Sequence, residues 1–480
     1  MNEFFAMVAT FSNFLWGGNW GDTRILPVGL VTIALLGTGL YFMIRLRFRP
    51  LRRLGPAFGV LWSGRKAQGE GEITPWQAVA TALSGQVGTG NLAGVATAIT
   101  LGGPGAIFWM WMTAIVGMAA AFAESSLAVR FRERNKEGHV HGGPMYYIRN
   151  GLGPSWGWLA VLFCVGTLGS SLVTGNMIQA NSVTQSVIEA GRSFDLIVPN
   201  WVVGVTIAAL AFLVIIGGIK SIGTFAGRLV PGMALAYVIA ALAVLVLNYE
   251  HIGDAFGLIL RSAFGLEPAA GGIAGYGVLA AIRAGVARGL FSNEAGQGSA
   301  PIAHAAAKTK SPVMQGEIAM LGVFIDTIII CTMTALVILV VDGSYASVNG
   351  TAVVEYAWQS TDLQASAITT AAFAQGIPGG QWIVLAAQFL FAFTTIIGWS
   401  YYGEQAAGFL FGDRSAVPFR YVWVFFVFVG TLIVNVDGLG LLGDVGNAVM
   451  LFPNVIAILA LSGVVVAMAR EADQAGNPRG

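Results

Sequence analysis

The stretch SGQVGTGN, Ser84–Asn91, lies inside an apolar run from about residue 74 to residue 101. Its eight residues include three glycines, two amide side chains and two hydroxyls, all of which are unfavourable in a helix that faces lipid. Backbone outside a helix is tolerated at membrane depth only where it is buried in protein or lines a cavity. The stretch therefore predicts a membrane helix that unwinds halfway across, next to a cavity.

A helix that breaks at mid-membrane exposes two kinds of backbone group. The first half ends in free carbonyls, which attract a cation, and the second half begins with free amides, which attract a carboxylate. Such a break therefore favours a site that takes an ion together with an acidic group.

The composition places the whole chain in a membrane. Of 480 residues, 56% are hydrophobic and 10% are charged, with a mean hydropathy of +0.73, whereas soluble domains have about 25% charged residues. The net charge of +1 gives no support for a nucleic-acid partner. Two cysteines in apolar segments indicate neither a disulfide framework nor a metal site. We expect a multi-pass protein of a prokaryotic inner membrane.

At about 20 residues per span, hydropathy predicts an all-α fold with eleven transmembrane helices. The first apolar run has no basic segment before it, so we interpret it as a retained span rather than a cleaved signal peptide. The predicted spans are residues 25–45, 74–101 (broken), 104–129, 155–189, 200–219, 228–248, 275–306 (broken), 315–341, 368–412, 419–436 and 444–469.

Basic residues predict the orientation. If the loop after the first span is cytoplasmic, 20 of the 25 lysines and arginines fall on the cytoplasmic side. The opposite loops keep Arg24, Arg192 and Arg261, while Arg283 and Arg288 fall in the seventh span. The asymmetry predicts an N-terminus outside and a C-terminus inside.

A second polar interruption, GLFSNEAGQGSAPIAHA, Gly289–Ala305, falls in the seventh span. The second and seventh spans each begin a set of five, in opposite orientations, and glycine-interrupted spans at matching positions indicate the central site of a transporter. The predicted segments are residues 1–73 (first helix and basic loop), 74–248 and 275–469 (inverted five-helix repeats) and 470–480 (cytoplasmic tail).

Several long motifs resemble the alanine or glycine:cation symporter family, also called sodium:alanine symporters. The resemblance covers roughly residues 20–470 and implies the inverted five-helix repeat of the leucine transporter, within the amino acid–polyamine–cation superfamily, plus one extra N-terminal helix. The motifs are SGQVGTGN, GGPGAIFWMWMTAIVG (Gly102–Gly117), HGGPMYYI (His141–Ile148), GLFSNEAGQGSAP (Gly289–Pro301) and FTTIIGWSYYGEQ (Phe393–Gln405).

The resemblance implies a sodium site. Na⁺ prefers oxygen ligands, and the carbonyls of Ser84 and Val87 match positions used in the superfamily, with hydroxyls of Thr394 and Thr395 approaching from the ninth span. The alternative is that both threonines bond back to their own helical turn. Na⁺ is then the coupling ion, and no organic cofactor is expected.

The amides that open the second half-helix, those of Thr89, Gly90 and Asn91, are candidates for binding a substrate carboxylate. Further amide donors are candidates on neighbouring positions, and hydrogen bonds between helices are the alternative role for each. These donors are Gln86, Asn176 and Gln179.

Carbonyls at the second break, near Phe291, Ser292 and Asn293, are candidates for binding the substrate ammonium. Phe291 and Trp399 are candidate walls that restrict the substrate side chain to a methyl group or a hydrogen, although aromatic residues in membrane helices are commonly packing or interface residues.

Ionisable residues inside spans need a partner or a function. We expect Glu294 either to organise the unwound backbone or to contact substrate or ion, and Asp326 either to bind a proton or ion or to pair with Arg283 or Arg288. Glu124 and Glu404 lie near predicted cytoplasmic ends, where we expect solvated carboxylates or gating salt bridges.

Together these features predict a secondary active transporter, not an enzyme, that imports alanine or glycine with sodium by alternating access and functions as a monomer. A proton-coupled carrier or exchanger on the same fold is the first alternative. A channel is the second, and it is disfavoured because the two breaks form one site rather than a repeated pore lining.

Overall fold

The computed structural model describes the following parts of the chain: residues 2–66, 69–135, 138–266, 274–309, 311–341, 345–348, 351–354, 358, 365–433 and 436–475. In these parts the fold is helical apart from three small antiparallel hairpins. The strands pair in sequence order as β1 Asn19–Trp20, β2 Thr23–Arg24, β3 Glu133–Arg134, β4 Val140–His141, β5 Tyr345–Val348 and β6 Thr351–Val354.

The helices are numbered along the chain. They are α1 Asn2–Ser12, α2 Leu30–Arg45, α3 Arg49–Arg52, α4 Leu54–Ser63, α5 Pro75–Gln86, α6 Ala93–Gly102, α7 Ala106–Arg130, α8 Pro144–Tyr147, α9 Gly157–Ser170, α10 Ile178–Arg192, α11 Asn200–Ile215, α12 Gly218–Leu247, α13 Ile252–Ala263, α14 Ala274–Asn293, α15 Ala300–Ala305, α16 Pro312–Val323, α17 Thr332–Val340, α18 Ser366–Gly376, α19 Gly380–Phe411, α20 Ala416–Leu432, α21 Asp437–Ala460 and α22 Ser462–Ala475.

Seven stretches in the described part of the chain are long and apolar enough to cross a membrane. The other four predicted spans correspond to α2, to α5 with α6, to α11 and to α14 with α15, which are shorter or less apolar as single helices. The seven are Ala106–Arg130, Pro154–Arg192, Gly218–Leu247, Pro312–Val340, Gly380–Phe411, Asp413–Leu432 and Gly438–Ala460.

Some boundaries differ from the sequence prediction. The ninth predicted span is two helices, α18 and α19, separated by a turn in which Gly379 has a φ of +77°, a left-handed conformation that suits glycine. The fourth and eighth spans each contain a π-helical segment, at Ser171–Met177 and Phe324–Cys331. Such segments change which side chains face inward, and they are frequent at functional sites.

Burial separates the central helices from those at the periphery. In the most apolar windows of Gly380–Phe411 and Pro312–Val340, 78% and 72% of residues are buried, against 28% for Asp413–Leu432 and 33% for Gly218–Leu247. Helix α7 packs against both α14 and α16, and α19 packs against α5. The two interrupted helices therefore lie in the interior, where irregular backbone is shielded from lipid.

Candidate functional site

The first break is shorter than the sequence predicts. Helix α5 continues through Ser84 to Gln86, and only Val87 and Gly88 are non-helical before a 3₁₀ turn at Thr89–Asn91. The Ser84 hydroxyl bonds back within this helix, donating to the Thr81 carbonyl at 2.6 Å. The carbonyls of the last turn of α5 consequently have no amide of a continuing helix to bind.

Asn91 closes the first break from within. Its side-chain Oδ1 accepts the backbone amide of Gly88 at 2.9 Å, and its backbone amide donates to the Gly88 carbonyl at 3.3 Å. The side chain is fully buried. Asn91 therefore stabilises the unwound backbone, and its side chain does not line the cavity described below.

The second break begins one residue after Asn293, later than the predicted start at Gly289. Glu294, Gly296 and Gly298 all have left-handed backbone, with φ values of +56°, +80° and +92°. A left-handed conformation at a residue other than glycine costs about 1–3 kcal/mol and persists only where its surroundings impose it. The segment between α14 and α15 is thus a strained, tightly held turn.

Glu124 holds this turn in place. Its Oε1 accepts the amide of Gly296 at 3.3 Å and its Oε2 accepts Nδ2 of Asn454 at 2.8 Å, and Asn454 also donates to the Gly296 carbonyl at 2.8 Å. Glu124 is fully buried. The expectation of a solvated or salt-bridged Glu124 is therefore wrong, because the unwound segment needs an acceptor here.

Two side chains join the breaks. Gln86 donates through Nε2 to the carbonyl of Asn293 at 2.7 Å. Asp326, on the π-helical segment, accepts from Asn91 at 2.6 Å and from the Ser292 hydroxyl at 2.8 Å. The two interruptions, 207 residues apart in the chain, therefore face each other directly.

Asp326 does not pair with an arginine in the described part of the chain. Its third donor is the neighbouring Thr327 hydroxyl at 2.8 Å. Arg283 instead donates from Nε and Nη2 to the carbonyl of Pro27, at 3.1 and 2.7 Å. The expected Glu404 salt bridge is present, with Arg420 at 2.6 and 2.8 Å.

A small cavity lies between the two breaks. Its free volume is about 20 Å³, close to the minimum of about 10–15 Å³ that one water molecule requires. Side chains around it must therefore move to admit a larger molecule. The lining residues are Gly85, Gln86, Gly88, Thr89, Gly90, Thr174, Gln179, Phe291, Glu294, Gln297, Thr395, Trp399 and Asn447.

Helix α19 forms one wall of this cavity. A Cβ atom placed on Gly88 would lie 2.6 Å from Oγ1 of Thr395, so glycine is required for this approach. The hydroxyls of Thr394 and Thr395 both donate to the Phe391 carbonyl at 3.0 Å. The back-bonding alternative is therefore present, but a donated hydroxyl proton leaves the oxygen lone pairs of Thr395 on the cavity side.

Glu294 presents its carboxylate to the cavity. Oε1 accepts Nε1 of Trp399 at 2.8 Å and Oε2 accepts the Ser299 hydroxyl. The residue is 3% exposed, and no cationic side chain in the described part of the chain forms an ion pair with it. An uncompensated carboxylate beside a cavity suits a cationic ligand group.

Some predicted site residues lie outside the cavity lining. Asn176 donates to the Trp423 carbonyl at 2.9 Å, and Asn293 donates to the Thr327 hydroxyl at 3.1 Å, so both hold helices together. The complete set outside the lining is Ser84, Val87, Asn91, Asn176, Ser292, Asn293, Asp326 and Thr394.

The chain matches a known protein family over nearly its whole length. The sodium:alanine symporter family model matches residues 7–476. The chain belongs to the sodium:alanine symporter family. It is therefore a transporter rather than an enzyme, from a family of amino-acid:cation symporters, and a multi-pass protein of the inner membrane.

Relatives match over nearly their whole length. The sodium/alanine symporter AgcS of Methanococcus maripaludis is 41% identical over 97% of this chain and 96% of its own. An uncharacterized transporter of Haemophilus influenzae is 41% identical over 96% and 94%. The probable sodium/glutamine symporter GlnT of Bacillus subtilis is 36% identical over 91% and 86%.

A solved structure shares the fold at low identity. A mutant of the manganese transporter of Eremococcus coleocola superposes with a TM-score of 0.51 and 13% sequence identity, covering 82% of this chain and 78% of that chain. The likeness concerns the fold alone.

Sequence reasoning missed three polar residues of the cavity in this family member. Thr174 lies in the π-helical segment of the fourth predicted span, Gln297 in the second break and Asn447 on α21. Nε2 of Gln297 donates to Oδ1 of Asn447 at 2.7 Å. An amide side chain directly after a glycine in an apolar span, as in GDVGNA, was the available signal for Asn447.

The ends of α5 and α15 that lie away from the breaks are joined to each other. Ile73, just before α5, and Ala307, just after α15, form a parallel bridge. The guanidinium of Arg132 donates to the carbonyls of Ala305 and Ala307 at 3.0 and 2.7 Å. Burial lowers the pKa of Arg132, and these carbonyl contacts compensate for the lost hydration. The start of α5 and the end of α15 therefore form one unit.

Proposed function

We propose that this protein imports a small neutral amino acid, alanine or glycine or both, together with sodium by alternating access. The observation that carries the proposal is the cavity between the two breaks, where the end of α5, the backbone of the first break, the Glu294 carboxylate and the Thr395 hydroxyl meet. A zwitterion and a cation need these two kinds of partner.

We propose that the protein has eleven transmembrane helices, with the N-terminus outside and the C-terminus inside. Residues 74–248 and 275–469 form two inverted repeats of the leucine-transporter type, after a first segment of residues 1–73 and before a tail of residues 470–480. Support comes from the matching positions of the two breaks and from the concentration of basic residues in the loops of one predicted side. Each break is satisfied within one chain, so a monomer suffices.

For sodium, the proposed ligands are the carbonyls of Ser84 and Val87 and the hydroxyls of Thr394 and Thr395. The end of α5 supplies carbonyls with a partial negative charge. Of the four residues, Thr395 lines the cavity, and its proton is already donated to the Phe391 carbonyl. Its oxygen is therefore available to accept a cation.

For the amino acid, the amides of Thr89, Gly90 and Asn91 are proposed to bind the carboxylate, assisted by Gln86 and Gln179. Gln86 and Gln179 both line the cavity, and their Nε2 groups donate to the Asn293 and Thr174 carbonyls at 2.7 and 3.3 Å, so each has to exchange that bond to hold a carboxylate. Their buried Oε1 atoms, without a hydrogen bond among the described residues, suit the substrate ammonium instead. Asn176 is proposed to support this site from outside by fixing its helix.

The ammonium is proposed to bind at the second break, near the backbone of Ser292 and Asn293, with Glu294 as its counter-charge. Trp399 orients that carboxylate through its 2.8 Å hydrogen bond. Phe291 and Trp399 are the proposed walls around the substrate side chain. Asp326 is proposed to couple the two breaks, because it binds Asn91 in one and Ser292 in the other.

The driving force suffices with one ion. One elementary charge moving through about 100 mV releases about 2.3 kcal/mol, and a tenfold sodium gradient adds about 1.4 kcal/mol. Together they support several-hundred-fold accumulation. The unit formed by the start of α5 and the end of α15 is the proposed moving part.

The test is uptake of labelled alanine into proteoliposomes under an inward sodium gradient, with choline replacement and a proton gradient as controls. We expect sodium-driven uptake that glycine competes with and leucine does not. Uptake driven by protons alone favours the proton-coupled alternative, for which the buried Glu124 and Glu294 carboxylates are the candidate groups. No uptake in either gradient contradicts the symport proposal.

A further inference from the structure

A separate basic cavity lies between the N-terminal segment and α14. It has a volume of about 310 Å³, and three arginines but no acidic residue occur among its described lining residues. We call it the arginine cavity. Its lining residues are Asn13, Trp16, Gly17, Arg24, Leu101, Leu279, Ala280, Arg283, Ala284, Ala287 and Arg288.

Arg288 makes no ion pair at contact distance in the described part of the chain, and the acidic group that acts on it is Asp444 on α21. Arg288 is partly buried on a helix in an apolar region, and no hydrogen bond or salt bridge joins it to any residue in the described part of the chain. A charged side chain within a span costs about 2.5–3.5 kcal/mol on insertion scales unless it finds a partner. The attraction of Asp444 offsets part of this cost, and the Arg288 guanidinium keeps its hydrogen-bond donors without a partner among the described residues.

Asp444 acts on Arg288 and also has partners in the N-terminal segment. Asp444 on α21 interacts electrostatically with Arg288 but is not among the cavity residues. Its Oδ2 accepts the Ser12 hydroxyl at 3.3 Å, and its carbonyl accepts Nε1 of Trp16 at 3.2 Å. Asp444 therefore anchors the N-terminal helix while the cavity keeps its positive charge.

Apart from Asn13, the other lining residues are apolar or small. Leu101 is 62% exposed, and Ala280, Ala284 and Ala287 leave a groove along α14 beside Leu279. Trp16 at the rim is the residue type enriched at membrane interfaces. The cavity therefore offers a cationic pocket next to an apolar groove, which matches an amphipathic anion.

We propose that the arginine cavity binds the phosphate headgroup of an anionic phospholipid, with an acyl chain lying along Leu101 and α14. Guanidinium groups bind phosphate through paired, charge-assisted hydrogen bonds. Arg24, on the exposed β2 strand, and Arg288, on α14, both line the cavity and provide two guanidinium groups. The site is separate from the amino-acid cavity, and it does not depend on the proposed ion coupling.

The test is a lipid titration of the purified full-length protein in detergent micelles, followed by thermal unfolding. Dioleoyl phosphatidylglycerol should raise the melting temperature more than dioleoyl phosphatidylcholine, since a ligand of the folded state stabilises it. In Arg288→Gln and Arg24→Gln, the lipid fraction giving half-maximal stabilisation should rise about fivefold each, as expected for one basic residue near an anionic headgroup.

Arg192→Gln is the matched control, because Arg192 is an exposed arginine at the end of α10 outside the cavity. It should titrate like the unmodified protein. Arg24 lies in a surface hairpin, so its substitution tests the proposal even if Arg288→Gln fails to fold. Unchanged titrations in both cavity variants overturn the proposal.

Two further arms identify the occupant. If inorganic phosphate alone reproduces the arginine-dependent stabilisation, phosphate chemistry is right but the lipid source is wrong. If alanine competes with phosphatidylglycerol for stabilisation, the cavity takes a substrate carboxylate, and the lipid proposal is overturned. Stabilisation by phosphatidylglycerol that neither compound affects supports the proposal.

Discussion

The two breaks differ in the residues that form them. The first, at Val87–Leu92, contains no charged side chain, and Gly88 is extended, with a φ of −132° and a ψ of −152°. The second, at Glu294–Ser299, contains a carboxylate and three left-handed residues. The first break therefore presents mainly backbone to the cavity, and the second presents a charged side chain.

Their supports differ in the same way. Asn91 stabilises the first break from within, whereas the second depends on Glu124 and Asn454 from α7 and α21. The first break also contacts other helices, because Asn91 donates to Asp326 and its carbonyl accepts the Thr334 hydroxyl, but the bonds that close it onto Gly88 lie within the segment. The geometry of the second break, including the direction of the Glu294 carboxylate, therefore depends on where α7 and α21 lie.

The largest effect should come from Gly88→Ala. The new methyl would lie 2.6 Å from Oγ1 of Thr395, and overpacking of this kind costs about 1–3 kcal/mol. Because the displaced groups belong to both the backbone and the proposed sodium site, we expect sodium-driven alanine uptake to fall about a hundredfold, the upper end of that range. Proteoliposome uptake measures it.

Gly94→Ala is the matched control, because a Cβ at Gly94, on α6, meets no atom within 4 Å. It should retain nearly full uptake. Equal activity of both variants would show that close approach at Gly88 is not needed, and the first break would lose its assigned role.

Glu294→Gln tests the charge of the second break. A glutamine oxygen still accepts from Trp399, and the Ser299 hydroxyl can reverse to accept from the new amide, so the shape is kept. Loss of the charge alone should raise the half-saturating alanine concentration about tenfold, as for a hydrogen bond to a charged group. Initial uptake rates over a range of alanine concentrations measure it.

Glu124→Gln separates support from binding. Its new amide would face Nδ2 of Asn454, so one donor loses its acceptor. We expect a lower melting temperature with an unchanged half-saturating alanine concentration. If Glu124→Gln shifts that concentration as much as Glu294→Gln does, the carboxylates share one function and the distinction between binding and support fails.

Thr395→Ala probes the first break through its contact with α19. Loss of one oxygen ligand should raise the half-saturating sodium concentration about fivefold, with little change in stability, because the hydroxyl only bonds back within its helix. Thr97→Ala removes an equivalent back-bond, to Ala93 at 2.7 Å, outside the cavity and serves as control. An unchanged sodium dependence of Thr395→Ala would remove Thr395 from the sodium site.

Much of this architecture follows from the sequence. Glycines and amides inside apolar runs located both breaks, and the first break's position beside Thr395 follows from motifs that resemble one family. Local composition carries this information because unwound backbone in a membrane requires particular residue types.

The remaining features depend on contacts between distant segments. Glu124 and Asn454 are 330 residues apart, and no local pattern predicts that both hold Gly296. Thr174 lies in the π-helical segment Ser171–Met177 and lines the cavity, whereas the hydropathy pattern predicts one uninterrupted span there. Burial and side-chain partners of polar residues were therefore the part that sequence alone did not supply.

The smallest effect is expected at the point where the two breaks touch. A Cβ on Gly90 of the first break would lie 3.3 Å from Cδ1 of Phe291, next to the second, so this ring fills the space between them. In Phe291→Ala the cavity enlarges without breaking a hydrogen bond. A substitution of Trp399 would be harder to interpret, because it would also remove the hydrogen-bond donor to Glu294.

Phe291→Ala should therefore admit leucine, with uptake about a tenth of that of alanine, since a hydrophobic pocket discriminates by only about 1–3 kcal/mol per methylene. Labelled leucine uptake under a sodium gradient measures it. Phe393→Ala, which removes a buried ring of α19 outside the cavity, should not gain leucine uptake. If neither variant takes up leucine, the wall lies elsewhere, and the contact between the breaks serves packing rather than substrate selection.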